Sequence, residues 1–180
     1  DVYKRQMLAV LYRLWAAARL AQLTPWVRTW IHACVFSQGG GGASAMDAWY
    51  ATALEIEEAL LTGEPVSVAI ADIVKAFDTV DRGILQRVMD QFGFPRWFQR
   101  TYFAFHSQVR CRFRLAVGVG SPWLRDCGIP QGCPLAPLFA NMAGLAWAAA
   151  VNTATAGTIH TYIYLDDRLL IGCLLYTSPS

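Results

Sequence analysis

An α+β (α/β-like) domain, an antiparallel sheet packed on helices, is what this sequence predicts, and three features predict it. Short apolar runs at Val66–Ile73 and on either side of Asp166–Asp167 have the length and composition of strands. Longer stretches with helix-type spacing of apolar residues separate them. The chain has 180 residues, 55% of them hydrophobic, with seven Trp, seven Tyr and nine Phe, which suffices for one sizeable core but is short for two.

Taken in order, Met7–Leu20 reads as a helix carrying Tyr12 and Trp15, and a second short helix follows Pro25, a residue suited to a first turn. Four consecutive glycines at Gly39–Gly42 require a loop. Ser44 and Asp47 have the spacing of a helix start, so Ala45–Leu61 is a helix with Trp49, Ala53, Ile56, Ala59 and Leu60 turned inward. Val66–Ile73 is a central strand with Asp72 near its end. Gly83–Gln91 reads as a helix, and Pro95 opens another that runs to about His106. Val109–Val117 alternates, placing Arg110, Arg112 and Arg114 on one face. Leu135–Val151 is an Ala-rich helix, and Ile159–Leu165 with Arg168–Ile171 forms a hairpin tipped by two carboxylates.

A net charge of +2 permits nucleic-acid binding without requiring it. Five cysteines lack any C-x-x-C pair, which argues against a disulfide scaffold and for thiols in a reducing, intracellular setting. Cys127, Cys133 and His160 match no familiar zinc spacing. Residues 127–165 contain no Asp, Glu, Lys or Arg, but prolines at 130, 134 and 137 break the run, so a buried helix fits better than a membrane span. Asp1–Gln6 and Cys173–Ser180 look foreign to the fold and are expected to be non-native tails.

An aspartate at the end of an apolar strand is costly unless it is hydrogen-bonded, charge-paired or metal-bound. If the hairpin pairs beside the Val66–Ile73 strand, Asp72 and Asp166 approach closely enough to bridge divalent cations, with Asp167 next to them. Hard oxygen ligands suit Mg²⁺, with Mn²⁺ as a substitute. Two such ions roughly 3.5–4 Å apart serve in-line phosphoryl transfer. Taken alone, Asp–Asp between strands is more often a plain turn, so spacing does not choose among phosphotransferases.

Three blocks in order carry a resemblance: ADIVKAFDTVDR at Ala71–Arg82, GIPQGCPLAPLFAN at Gly128–Asn141 and YLDD at Tyr164–Asp167. Together they resemble the palm motifs of reverse transcriptases, in wording closest to non-LTR retrotransposon and group II intron enzymes. Tyr12–Trp15 and Ser44–Leu61 are more weakly similar to parts of the family's fingers. The resemblance implies partial fingers over 7–65 and a partial palm over 66–172, with a YLDD hairpin in its sheet. The resemblance also implies further fingers, a later palm region and a thumb beyond this sequence, so the fragment is expected to be weakly active or inactive alone.

Carried over by position, the resemblance implies Asp72, Asp166 and Asp167 as catalytic metal ligands, with the Ile73 carbonyl as a further one. Phe77 falls at the aromatic gate that excludes a 2′-hydroxyl. Gln131 and Gly132 would lie beneath the nascent base pair, and Tyr164 near the primer end. Lys75 and Asp78 look like an outward-facing or structural pair at the strand-to-helix turn, neither of them catalytic. Ala136 stands where many members carry Ser. The implied activity is RNA-directed DNA polymerisation, with an RNA template, a DNA or RNA primer, deoxynucleoside triphosphates and no membrane. Arg110, Arg112 and Arg114 are expected along the template–primer backbone, a salt-sensitive contact, unless they simply solvate a strand face. The competing functions are an inert palm-derived domain that binds nucleic acid or protein, and an unrelated Mg²⁺ phosphotransferase.

Overall fold

The computed structural model describes residues 8–31, 34–36 and 43–172. The tails at Asp1–Gln6 and Cys173–Ser180 and the four-glycine loop lie outside them. In chain order the elements are α1 (Val10–Trp30), α2 (Ala45–Thr62), β1 (Ser67–Asp72), α3 (Ala76–Thr79), α4 (Arg82–Gln91), α5 (Arg96–Gln108), β2 (Arg110–Cys111), β3 (Arg114–Leu115), β4 (Gly118–Val119), β5 (Trp123–Leu124), α6 (Ala136–Ala154), β6 (Ile159–Tyr164) and β7 (Asp167–Gly172). The described residues divide into two compact units, one of residues 75–131, the other of the described residues that lie before 75 and after 131.

The second of these holds an antiparallel sheet in the order β1-β7-β6. Helix α6 packs on it through Ala148 against Ile163, with Val35, Leu145 and Trp147 around them. Gly144 lets the helix come close, because a Cβ there would stand 2.9 Å from the Ile163 side chain. The outer side of β6 is covered by residues 34–36, since Phe36 N donates to Ile163 O at 2.9 Å and Ile163 N to Cys34 O at 2.8 Å.

Helix α2 begins as its sequence implies. The Ser44 hydroxyl accepts from Asp47 N while the Asp47 carboxylate accepts from Ser44 N, a reciprocal cap. Glu55 then ties α2 to β6, accepting from the Tyr162 hydroxyl at 2.6 Å and pairing with His160. Burial, together with that carboxylate, pushes the Tyr162 phenol above its ordinary pKa.

Four expectations need correction here. Val66–Ile73 was expected to be central, but β1 pairs only with β7 among the described residues, and Ile70 is 77% exposed. An apolar run without alternation marks a strand and not its position in the sheet. No second helix starts at Pro25; α1 runs through it, with Thr24 Oγ1 donating back to Leu20 O. A proline costs a helix one backbone bond and a bend, which a long helix with other anchors can absorb. Trp49 and Leu60 of α2 face outward at 62% and 71% exposure, and α2 buries no residue fully.

The unit of residues 75–131 is built on rings. Phe94, Phe98, Tyr102 and His106 recur every fourth position along the start and body of α5, so they stack on one face. All four are buried, as are Leu85 and Met89 of α4. Gln99 joins the turn before α5 by donating to Phe94 O and Asp90 Oδ1, both at 3.0 Å. The fourth correction falls in this unit. The expected strand 109–117 is two short ladders, β2 with β5 and β3 with β4, and Phe113 and Leu115 are exposed.

His106 is 1% exposed, and burial, reinforced by Arg82 and Arg125, pulls its pKa from 6.5 to about 4. Between those values the unfolded chain binds a proton that the folded chain does not. Stability from this group is therefore full above pH 6.5 and is lost as pH falls toward 4. Urea unfolding should show the native chain losing on the order of 3 kcal/mol more than His106→Gln over that interval. Parallel pH profiles for the two proteins would refute this.

Candidate active site

At one end of the β1-β7-β6 sheet the backbone gathers acidic residues from distant parts of the chain. The register pairs Asp72 of β1 with Asp167 of β7, and Asp167 with Tyr164 of β6. Directly opposed residues in an antiparallel sheet point to the same face, so these three side chains share one rung and one side. Leu165 and Asp166 form the two-residue turn of the hairpin, and Leu165 takes a positive φ of 54° to close it. Asp166 therefore stands in the turn beside that rung, and the cross-strand partner of Asp72 is Asp167. Asp72 and Asp167 are exposed, while Asp166 and Tyr164 are half-buried.

Beneath the turn lies a residue that sequence reasoning treated only as part of a strand. Arg168 is 5% exposed, and its Nη1 donates to Leu165 O at 2.5 Å and to Asp167 O at 3.0 Å. Its guanidinium also sits 5.8 Å from the centre of the Trp147 ring. Burial pulls the pKa of Arg168 down, and the nearby carboxylates of Asp166 and Asp167 pull it back up. The only signal in the sequence was a cation at a position whose neighbours in the pleat, Ile163 and Leu170 among them, are apolar.

The donor chemistry suits a hard divalent cation, being all oxygen and open to water. Among the described residues, however, no three His, Cys, Asp or Glu side chains converge closely enough to hold a metal ion by themselves. Mg²⁺ does not demand that, since it retains waters and takes one or two carboxylates together with substrate phosphate oxygens. The rung of Asp72 and Asp167, with Asp166 in the adjoining turn, fits this kind of site.

A family model described as reverse transcriptase (RNA-dependent DNA polymerase) matches residues 5–174. The chain belongs to the reverse transcriptase family. No curated protein matches it. Among the described residues of this reverse transcriptase chain, no helix is long and apolar enough to cross a membrane.

The other residues singled out from the motifs are placed as follows. Ile73 follows Asp72 directly and is exposed. Phe77 lies half-buried on the short helix α3, after Lys75 has turned the chain with a φ of 53°. Gln131 is exposed at the end of the 75–131 unit, and Gly132, at the next position, has a φ of 86°. Arg110, Arg112 and Arg114 are all exposed, Arg110 on the β2–β5 ladder, Arg114 on the β3–β4 ladder and Arg112 between the two. Arg125, in the same basic stretch of sequence, is paired with Asp78 at 2.6 Å.

Proposed function

We propose that this reverse transcriptase chain carries the catalytic core of an RNA-directed DNA polymerase that adds deoxynucleotides to a primer 3′-hydroxyl. The observation that carries the reading is the shared rung of Asp72 and Asp167 beside the Asp166 turn, because it joins two motifs remote in sequence. Asp72, Asp166, Asp167 and the Ile73 carbonyl would hold two Mg²⁺ ions, or Mn²⁺ in their place. When bound, the pair supplies activation of the attacking hydroxyl and neutralisation of charge on the leaving group. Phe77 would close the space beside the sugar, Gln131 and Gly132 would support the nascent pair, and Tyr164 would pack near the primer end. The exposed Arg110, Arg112 and Arg114 would follow the phosphate backbone of an RNA template and its primer, without reading bases.

The wording of the first two motifs supports a mobile element of the non-LTR or group II intron type. An inert palm-derived domain that only binds nucleic acid or protein is the alternative. Primer extension by the full-length gene product, on an RNA template with deoxynucleotides, separates the two. The proposal expects extension that starts with Mg²⁺ and stops with chelator. Template binding without any extension would establish the inert domain instead.

A further inference from the structure

Residues 75–82 and 125–131 are remote in sequence and joined at several points. Ile129 N donates to Phe77 O at 2.6 Å, and Gly128 N to Val80 O at 2.7 Å. Arg125 Nη2 donates to Asp78 Oδ1 at 2.6 Å, with side chains 11% and 27% exposed. Arg82 adds bonds from Nη1 to the carbonyls of Arg125 at 2.8 Å and His106 at 3.1 Å. Gly128 sits at the centre, where an added Cβ would meet Arg125 Nη2 at 2.4 Å, Asp78 O at 2.6 Å and Phe77 O at 2.8 Å.

The outcome is a clamp on Phe77. Its own carbonyl is held by Ile129, and the next side chain, Asp78, is held by Arg125. A helix of four residues cannot hold its own geometry, because it closes too few internal bonds, so α3 takes its position from these outside contacts. A half-buried charge pair bridging two segments fixes orientation more than it adds stability. Arg125 is suited to this because its planar guanidinium orients its donors in a rigid fork.

We propose that Arg125 and Asp78 are positioning residues that hold Phe77 in place and thereby set the discrimination between deoxyribose and ribose. The inference rests on the reading of Phe77 as the sugar gate given above. A wall excludes a hydroxyl only while it stays put, and displacements of about 1 Å at a positioned group can cost on the order of 10²-fold. Loosening the clamp should thus admit ribonucleotides before it abolishes synthesis.

The test uses the full-length gene product and two readouts. In primer extension, Arg125→Met and Asp78→Asn should each lower the ratio of kcat/KM for deoxy- over ribonucleotides about 10-fold or more. Arg125→Lys, which keeps the charge, should recover part of the ratio. The double variant should be no worse than either single one, since both break the same contact. In amide hydrogen exchange, Arg125→Met should speed exchange at Gly128 and Ile129 and leave the amides of α6 unchanged. Arg125→Lys serves in both readouts if Arg125→Met does not fold.

The outcomes separate the two claims. If the native enzyme extends primers and Phe77→Ala admits ribonucleotides, yet the Arg125 and Asp78 variants keep native discrimination, the clamp is overturned and the polymerase reading stands. Native exchange at Gly128 and Ile129 in those variants overturns it as well. If the native enzyme extends nothing, the reading fails, and the gate role assigned to the clamp fails with it.

Discussion

Primer extension by the full-length gene product should fall on the order of 10³-fold or more when Asp166 is replaced by Ala. On the reading proposed above, the lost carboxylate would act on the reaction, and the position of Asp166 says why folding should survive. It is half-buried in a two-residue turn and forms no rung of the ladder. The turn itself depends on the positive φ of Leu165 and on the Arg168 bond to the Leu165 carbonyl, and the substitution touches neither. Unfolding in urea should therefore show a loss of no more than about 1 kcal/mol, from the carboxylate that favours the charged form of the buried Arg168. Asp72→Asn should be comparably inactive, because no other residue of β1 supplies a carboxylate. Extension that persists in Asp166→Ala, or that vanishes only because the chain unfolds, would count against the assignment.

Gly128→Ala should be the most destabilising methyl group that can be added to the 75–131 unit. The residue has a φ of 80°, a region that costs an L-residue about 1–2 kcal/mol. Two of the three atoms its Cβ would strike are backbone carbonyl oxygens, which cannot rotate aside as a side chain can. Overpacking of that kind adds about 1–3 kcal/mol. Gly93 supplies the control, with a φ of 68° in the same unit and nothing within 4 Å of its Cβ position. Gly93→Ala should pay only the conformational part. Thermal melts should thus rank native, Gly93→Ala and Gly128→Ala in falling order, with the larger gap before the last. Equal losses in the two variants would mean that the close approach at Gly128 is relaxed by movement of the Phe77–Asp78 backbone.

Much of the architecture could be read from residues. The Ser44–Asp47 cap announced α2, the apolar runs on either side of Asp166–Asp167 announced the hairpin, and Pro95 marked the start of α5 to the residue. These are local signals, carried by caps, turns and short-range periodicity. What escaped notice depends on partners far along the chain. The edge position of β1 follows from which strand pairs with it, and hydrophobic composition is silent on that. The break in 109–117 follows from ladders made separately with β4 and β5.

The candidate site divides in the same way. Asp72, Asp166 and Asp167 could be named from their motifs, while the register that sets Asp167 opposite Asp72 could not. The same holds for cations. Arg110, Arg112 and Arg114 are exposed as expected, but Arg125 and Arg168 are turned inward by Asp78 and by the hairpin turn. A formal charge in a sequence does not say whether it meets solvent or a neighbouring carboxylate.

The rung shared by Asp72 and Asp167 has one more implication. Two anions set face to face across a ladder repel each other, and the repulsion grows as water withdraws. This end of the sheet is therefore where separation of the strands should begin. A sheet built for cohesion alone would place a neutral pair there. Under the reading proposed above, a cation held at that rung would relieve the repulsion.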